Sequence, residues 1–263
     1  MEILVCVKRV PDTSENEIEL NRAGNDIERD DLVYSVNEWD NYAVEEAIRI
    51  VEKNGGNVTV ATVGGEDDEE VLRRELAMGA NHSALISDAA FEGSDGAGIA
   101  GLLKAFVEKN PFDLILTGAQ AEDGAAQVGG MLAAMLDYPF ASLVDSIEIL
   151  DAAKLKVSRE IEGGNKEINE IDLPCVLSIQ TGINEPRYVG MRGIRQVASV
   201  EIPTLGPAEL GIDAGSVGKA AAKVHRTDYF VAAAGKGAEI LNGDRGEVID
   251  RMIELVKAKG GLK

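Results

Sequence analysis

The stretch Leu114-Ile115-Leu116-Thr117-Gly118-Ala119-Gln120-Ala121-Glu122-Asp123-Gly124-Ala125-Ala126-Gln127-Val128-Gly129-Gly130-Met131-Leu132-Ala133-Ala134-Met135-Leu136 decides the fold. A short apolar run reads as a buried strand, a small-residue turn follows, and an apolar, alanine-rich run begins a helix. The unpaired N–H groups of a first helical turn and the positive end of the helix dipole make such a junction a natural anion site. Its small side chains let a phosphate approach the backbone. The junction therefore predicts a bound nucleotide.

Upstream, the same alternation repeats. Residues 2–7, 57–63, 82–87 and 113–117 read as strands. Between them, Trp39, Ala43, Ala47, Ile48 and Val51 recur at helical spacing after Asn37, a good helix-capping residue. A second helix carries Val71, Leu72, Leu76 and Ala77 and stops near Gly79. A third carries Ile99, Leu102, Leu103 and Phe106 and ends before Asn110-Pro111. Strands alternating with helices predict an α/β fold with a parallel sheet covered on both faces. Ligands bind such sheets at the carboxyl ends of the strands, which places Cys6, Val63 and the 118–130 turn at the site. Downstream, 140–150 reads as another strand. Residues 155–162 and 166–173 alternate with period two around Gly163-Gly164-Asn165, a hairpin, and Pro174 opens the strand 175–179. From about Ile202 apolar periodicity fades into an extended arm ending in a helix with Val248, Ile249, Met252, Ile253 and Val256 on one face. An arm without its own core packs either on its own domain or on a partner subunit.

Composition narrows the function. Forty-six acids against 26 Lys and Arg give a net charge of −20 over 263 residues. That surface disfavours nucleic acid and anionic lipid, and serves either solubility or attraction to a basic partner. Cys6 and Cys175 lie in apolar runs, as reduced, buried thiols do. The start shows no signal peptide, and no apolar run approaches the roughly 18 residues of a membrane span, so a cytoplasmic protein is expected. His82 and His225 are far apart, which leaves no metal-ligand spacing. No G-x-S-x-G, G-x-G-x-x-G or P-loop motif occurs. The acids after Gly64-Gly65 read as helix-dipole partners. Asp123 serves either as a helix cap or as a partner of a ribose hydroxyl.

Several ordered segments carry a resemblance. They are Val5-Cys6-Val7-Lys8-Arg9-Val10-Pro11-Asp12, Asn37 with Tyr42-Ala43-Val44-Glu45-Glu46-Ala47, Leu76-Ala77-Met78-Gly79-Ala80 and the 118–130 turn. Val157-Ser158-Arg159-Glu160-Ile161-Glu162-Gly163-Gly164, Leu173-Pro174-Cys175-Val176 and Asn184-Glu185-Pro186-Arg187-Tyr188 complete the set. Together they resemble the beta subunit of electron transfer flavoprotein over nearly the whole chain. The resemblance implies a Rossmann-like (adenine nucleotide alpha hydrolase-like) parallel sheet with an added β-hairpin and an extended C-terminal arm. Residues 1–200 would form the nucleotide-binding domain, with the hairpin at 153–173 and a recognition loop at 184–199, and 201–263 would pack on an alpha subunit.

In that family the alpha subunit holds most of the redox FAD, and the beta subunit buries AMP or, in an electron-bifurcating branch, a second FAD reduced by NADH. Carried over, the pocket comprises Cys6, Asn37, Val63, Gln120, Asp123, Gly124, Ala125, Ala126, Gln127, Val128, Gly129 and Gly130. The bifurcating branch has one residue more here, with an acid and a hydroxyl where this chain has Ala125-Ala126. Fewer loop donors favour AMP. Glu160 aligns with a carboxylate that meets an arginine of the alpha subunit's mobile flavin domain, while Arg159 would face the other way. Met191 aligns with an apolar anchor that docks on an acyl-CoA dehydrogenase or related flavoprotein, flanked by Arg192, Ile194 and Arg195. The family's lysine-rich stretch is absent after it. The implied function is an electron carrier rather than an enzyme by itself.

Overall fold

The computed structural model describes residues 1–122, 124–233, 235 and 237–261. It divides into two compact units, one of residues 1–18 and 29–227 and one of residues 19–28 and 228–263.

The first unit is built on a nine-stranded sheet. In chain order it runs β1 (Glu2–Cys6), β2 (Arg9–Pro11), β3 (Tyr34–Val36), α1 (Glu38–Asn54), β4 (Asn57–Val63), α2 (Glu69–Met78), β5 (His82–Ile86), α3 (Gly96–Lys109), β6 (Leu114–Gly118) and α4 (Val128–Leu136). It continues with β7 (Phe140–Ile149), β8 (Lys154–Ile161), β9 (Asn165–Asp172), β10 (Cys175–Ile179), α5 (Met191–Val197), β11 (Thr204–Leu205), α6 (Pro207–Leu210) and α7 (Gly218–Ala221). The sheet order is β11-β5-β4-β1-β6-β10-β7-β8-β9. Pairings from β11 to β7 are parallel, and β8 and β9 continue the sheet antiparallel as the expected hairpin. β2 and β3 form a separate two-stranded ribbon.

Both faces of the sheet are covered, which is why its strands read as unbroken apolar runs. Ile3 and Val5 pack on one side with Ala43, Val44, Ile48 and Leu72 of α1 and α2. Leu4 faces the other side, with Leu102, Leu103 and Phe106 of α3 and Leu132 of α4. Helix ends follow local chemistry. Asp95 caps α3 by accepting the Gly98 N–H at 2.9 Å, and α2 stops at Gly79, whose φ of 135° favours a residue without Cβ. The chain leaves β5, two strands from β1 on one side, and returns to β6 on the other side of β1, so a topological switch point lies between the carboxyl ends of β1 and β6.

Residues 204–221, within the stretch that reads as arm, belong to the first unit. β11 pairs with β5, and Leu210 and Val217 are buried. The second unit holds α8 (Arg245–Ala258) and an isolated antiparallel bridge between Leu20 and Ile27. Asp244 caps α8 by accepting the N–H groups of Gly246 and Glu247, and Glu247 returns a bond to the Asp244 N–H. Ile249, Met252, Ile253 and Val256 of α8 are exposed.

Candidate functional site

β1, β4 and β6 end at Cys6, Val63 and Gly118, so these residues share the carboxyl edge of the sheet. Cys6 is in register with Ala61 of β4 and Thr117 of β6. The loop after Gly118 is fastened from the start of α1. Asn37 stands at the capping position, but its side chain makes no capping bond to the backbone of its own helix. Its Nδ2 instead donates to the Gln120 carbonyl at 2.8 Å. Asp40, one turn on, accepts the N–H groups of Lys8 and Gly118, both at 2.9 Å. One buried carboxylate thus ties the exit of β1 to the exit of β6.

Burial raises the Asp40 carboxyl to about 7 against the hydrogen bonds that favour its charge. Burial also drives the Cys6 thiol well above its usual range, with the Asp40 charge adding to the effect. Cys6 is therefore a neutral wall and not a thiolate nucleophile. Asp40 carries no sequence motif. Its signal is its spacing with Ala43, Val44 and Ala47, which puts an acid on the buried face of α1.

Ala126 has a positive φ of 54°, followed by a right-handed Gln127 at φ −102° and ψ −35°. Consecutive residues of opposite hand curl their N–H groups toward one side, and a non-glycine residue there is strained. In α4, Met131 N–H finds the Gln127 carbonyl at 3.0 Å. Among the described residues no acceptor stands against the N–H groups of Val128, Gly129 and Gly130. Gly129 brings α4 close to β6, since a Cβ there would meet Thr117 Oγ1 at 2.7 Å. Asn37 Oδ1 and Thr117 Oγ1 are buried without a hydrogen-bond partner among the described residues. Free donors, orphaned buried acceptors and apolar walls fit an adenine nucleotide. Asp123 lies outside the described residues, while Gly124 and Ala125 are exposed.

The second strand-to-helix turn is filled by its own acid. Asp68 accepts the Gly65 N–H at 2.7 Å, and a Cβ on Gly64 would collide with that carboxylate. A cavity of about 280 Å³ between α3 and α7 is bordered by Asp95, whose oxygens already serve the N–H groups of Gly98, Lys223 and Val224. No group of three or more His, Cys, Asp or Glu is arranged for a metal among the described residues. No helix among them is long and apolar enough to cross a membrane.

The remaining candidates lie elsewhere. Met191 is 65% exposed, Ile194, Arg192 and Arg195 are exposed beside it on α5, and Tyr188 stands out before them. The segment leading to α5 is pinned to α1. Glu45, buried, accepts Arg187 Nε at 2.8 Å, the Arg187 N–H at 3.1 Å and Arg49 Nε at 2.6 Å. Burial opposes that charge, yet the two guanidinium groups hold the Glu45 carboxyl below its usual range. Asn184 Nδ2 donates to the Tyr42 carbonyl and to Glu46, both at 3.0 Å. Glu160, on β8, is exposed and accepts Gln180 Nε2 at 3.0 Å. Arg159 turns to the Ser142 carbonyl and Oγ and to Glu167.

Comparison with known proteins agrees with this geometry. A family model described as the electron transfer flavoprotein domain matches residues 25–210. The chain is 34% identical over 260 residues to the electron transfer flavoprotein subunit beta of Methylophilus methylotrophus, covering 97% of this chain and 98% of that one. It is 35% identical to the subunit of the same name in Thermoanaerobacterium thermosaccharolyticum over 98% of this chain and 99% of that one. It is also 35% identical to caffeyl-CoA reductase-Etf complex subunit CarD of Acetobacterium woodii, again over 98% and 99%.

Proposed function

The chain belongs to the electron transfer flavoprotein beta-subunit family, and on that premise we propose that it binds AMP and works in a heterodimer that carries electrons from an acyl-CoA dehydrogenase-type flavoprotein. Membership implies an alpha-subunit partner and flavin chemistry. The observation that carries the AMP assignment is the set of N–H groups at Val128–Gly130 and the buried Asn37 Oδ1 and Thr117 Oγ1, all without a hydrogen-bond partner among the described residues.

In this reading the N–H groups from Ala126 to Gly130 hold the phosphate at the positive end of α4. Asn37 Oδ1 accepts from the adenine amino group or a ribose hydroxyl. Cys6 and Val63 supply apolar walls, and the Gln120–Gln127 loop closes over the ligand, with Asp123 in that loop. AMP is redox-inert, so its part is to complete the packing of the switch point. The FAD of the heterodimer supplies the electron-carrying chemistry. Met191, with Ile194, Arg192 and Arg195, docks the dehydrogenase, and Glu160 steadies the alpha subunit's flavin domain by pairing with a guanidinium. The exposed apolar face of α8 packs on the alpha subunit.

A second reading is favoured by the similarity to the CarD subunit of a caffeyl-CoA reductase-Etf complex. There the same pocket would hold a second FAD, reduced by NADH in a bifurcating assembly. Denaturing the purified heterodimer and identifying the released nucleotides separates the two. One AMP and one FAD per heterodimer are expected, and two FAD would overturn the AMP assignment.

A further inference from the structure

We propose that Arg73 of α2 caps the docking helix α5 from outside and orders it for partner binding, an inference that rests on the docking reading of α5. α5 has seven residues, begins at Gly190 without a side-chain cap, and carries no buried residue. A helix this short does not hold itself in water. Its last carbonyls need donors, and its own C-terminal residues supply few.

Arg73 supplies them. Its Nη1 lies 3.1, 3.2 and 3.0 Å from the carbonyls of Val197, Ala198 and Val200. Two N–H bonds shared among three carbonyls hold the chain just where the helix ends and turns away. The guanidinium is itself fixed, because Nη2 donates to Glu69 at 2.9 Å one turn back on α2. The two helices also meet at Gly193, where a Cβ would stand 3.3 Å from the Ala77 carbonyl. Arg73 therefore fixes one end of α5, and the Arg187–Glu45 contacts fix the segment leading into the other. Met191 and Ile194 lie between these points, exposed on a backbone already ordered. Pre-ordering lowers the entropic cost of association without touching the electron-transfer step. Arg73 is thus a positioning residue.

The test compares the wild-type heterodimer with R73M, R73K and M191A. Hydrogen exchange is read on the amides of residues 191–200. Electron transfer is measured against increasing concentrations of an acyl-CoA dehydrogenase reduced by its acyl-CoA substrate. R73M should speed exchange in α5 and raise the KM for the dehydrogenase, each by roughly tenfold, the scale of losing a helix cap, with kcat unchanged. R73K should recover part of both, since an ammonium can still reach the carbonyls but cannot hold Glu69 as well. M191A should raise KM while leaving exchange unchanged. Unchanged exchange in R73M overturns the capping role. Faster exchange in R73M, with KM unmoved in both R73M and M191A, retains the cap and removes α5 from docking.

Discussion

Glu75 should make the protein less stable as pH rises through neutrality, and Glu75→Gln should remove its share of that dependence while leaving the share of Asp40. The residue sits in α2 with no solvent exposure, and both carboxylate oxygens lack a hydrogen-bond partner among the described residues. Burial lifts its pKa from 4.5 to about 8, with the charges of Asp40 and Glu45 adding to the rise and Arg74 opposing it. Between those values the folded chain keeps a proton that the unfolded chain releases. Stability is therefore fully present below the unfolded pKa and is lost as pH climbs toward 8. At about 1.4 kcal/mol per pH unit, and with the window only partly entered at pH 5, the loss from pH 5 to pH 7 is roughly 2–3 kcal/mol.

Gln keeps the shape of the side chain and does not titrate. Whatever a buried amide costs, it costs the same at every pH. The quantity to measure is the difference in thermal midpoint between variant and wild type, both in the assembled protein, at pH 5, 6, 7 and 8. It should move in the variant's favour by roughly 5–10 °C from pH 5 to pH 7. A difference that stays constant across that range would refute the reasoning, because it would mean Glu75 finds a partner or solvent that keeps it ionised.

Other substitutions probe the two sites. Ala126→Gly should keep the nucleotide and stabilise the loop by up to about 1 kcal/mol by relieving the positive φ, whereas Ala126→Val should lower nucleotide retention on gel filtration. Glu45→Ala should destabilise by about 1 kcal/mol in urea titration, since it removes the buried acceptor that Arg187 and Arg49 share while Arg187 keeps Glu52 and Arg49 keeps the Glu185 carbonyl. Asp40→Asn turns one acceptor into a donor facing a backbone N–H, so Lys8 or Gly118 loses its bond; released AMP per heterodimer should fall.

The alternating architecture was legible because each strand is apolar and each helix has one apolar face. Strands expected at 57–63 and 175–179 lie at Asn57–Val63 and Cys175–Ile179, and the hairpin expected around Gly163-Gly164 joins β8 to β9. The turn after Thr117 does lead from strand to helix, although α4 starts at Val128, three residues before its evidently apolar part. The polar interior was not legible. Asp40, Glu45, Glu75 and Arg73 are common helix residues, and such residues usually mark a solvated face. Their spacing said otherwise for two of them. Asp40 precedes Ala43, Val44 and Ala47 by three, four and seven positions, and Glu75 follows Val71 and Leu72 by four and three. An acid at a core position of an amphipathic helix is the mark of a buried carboxylate. Arg73 gave no such sign, because Glu69 four positions back makes it look like an ordinary surface pair and the carbonyls it holds lie more than a hundred positions away.

α1 connects these observations. A helix whose only task was to cover a sheet would bury apolar residues alone, since each buried polar group must recover its lost hydration through a bond. α1 and its capping residue bury Asn37, Asp40 and Glu45. Each is spent on a distant segment: Asn37 on Gln120, Asp40 on Lys8 and Gly118, Glu45 on Arg187. Glu46 adds Asn184. The N-terminal turn thus holds the proposed nucleotide loop, and the next turns hold the segment that leads to the proposed docking helix. These bonds contribute little net stability, for their formation mostly offsets the desolvation they require. What they fix is position. Replacing them with apolar residues of similar volume would keep the fold and loosen both loops, so function should fall further than stability does.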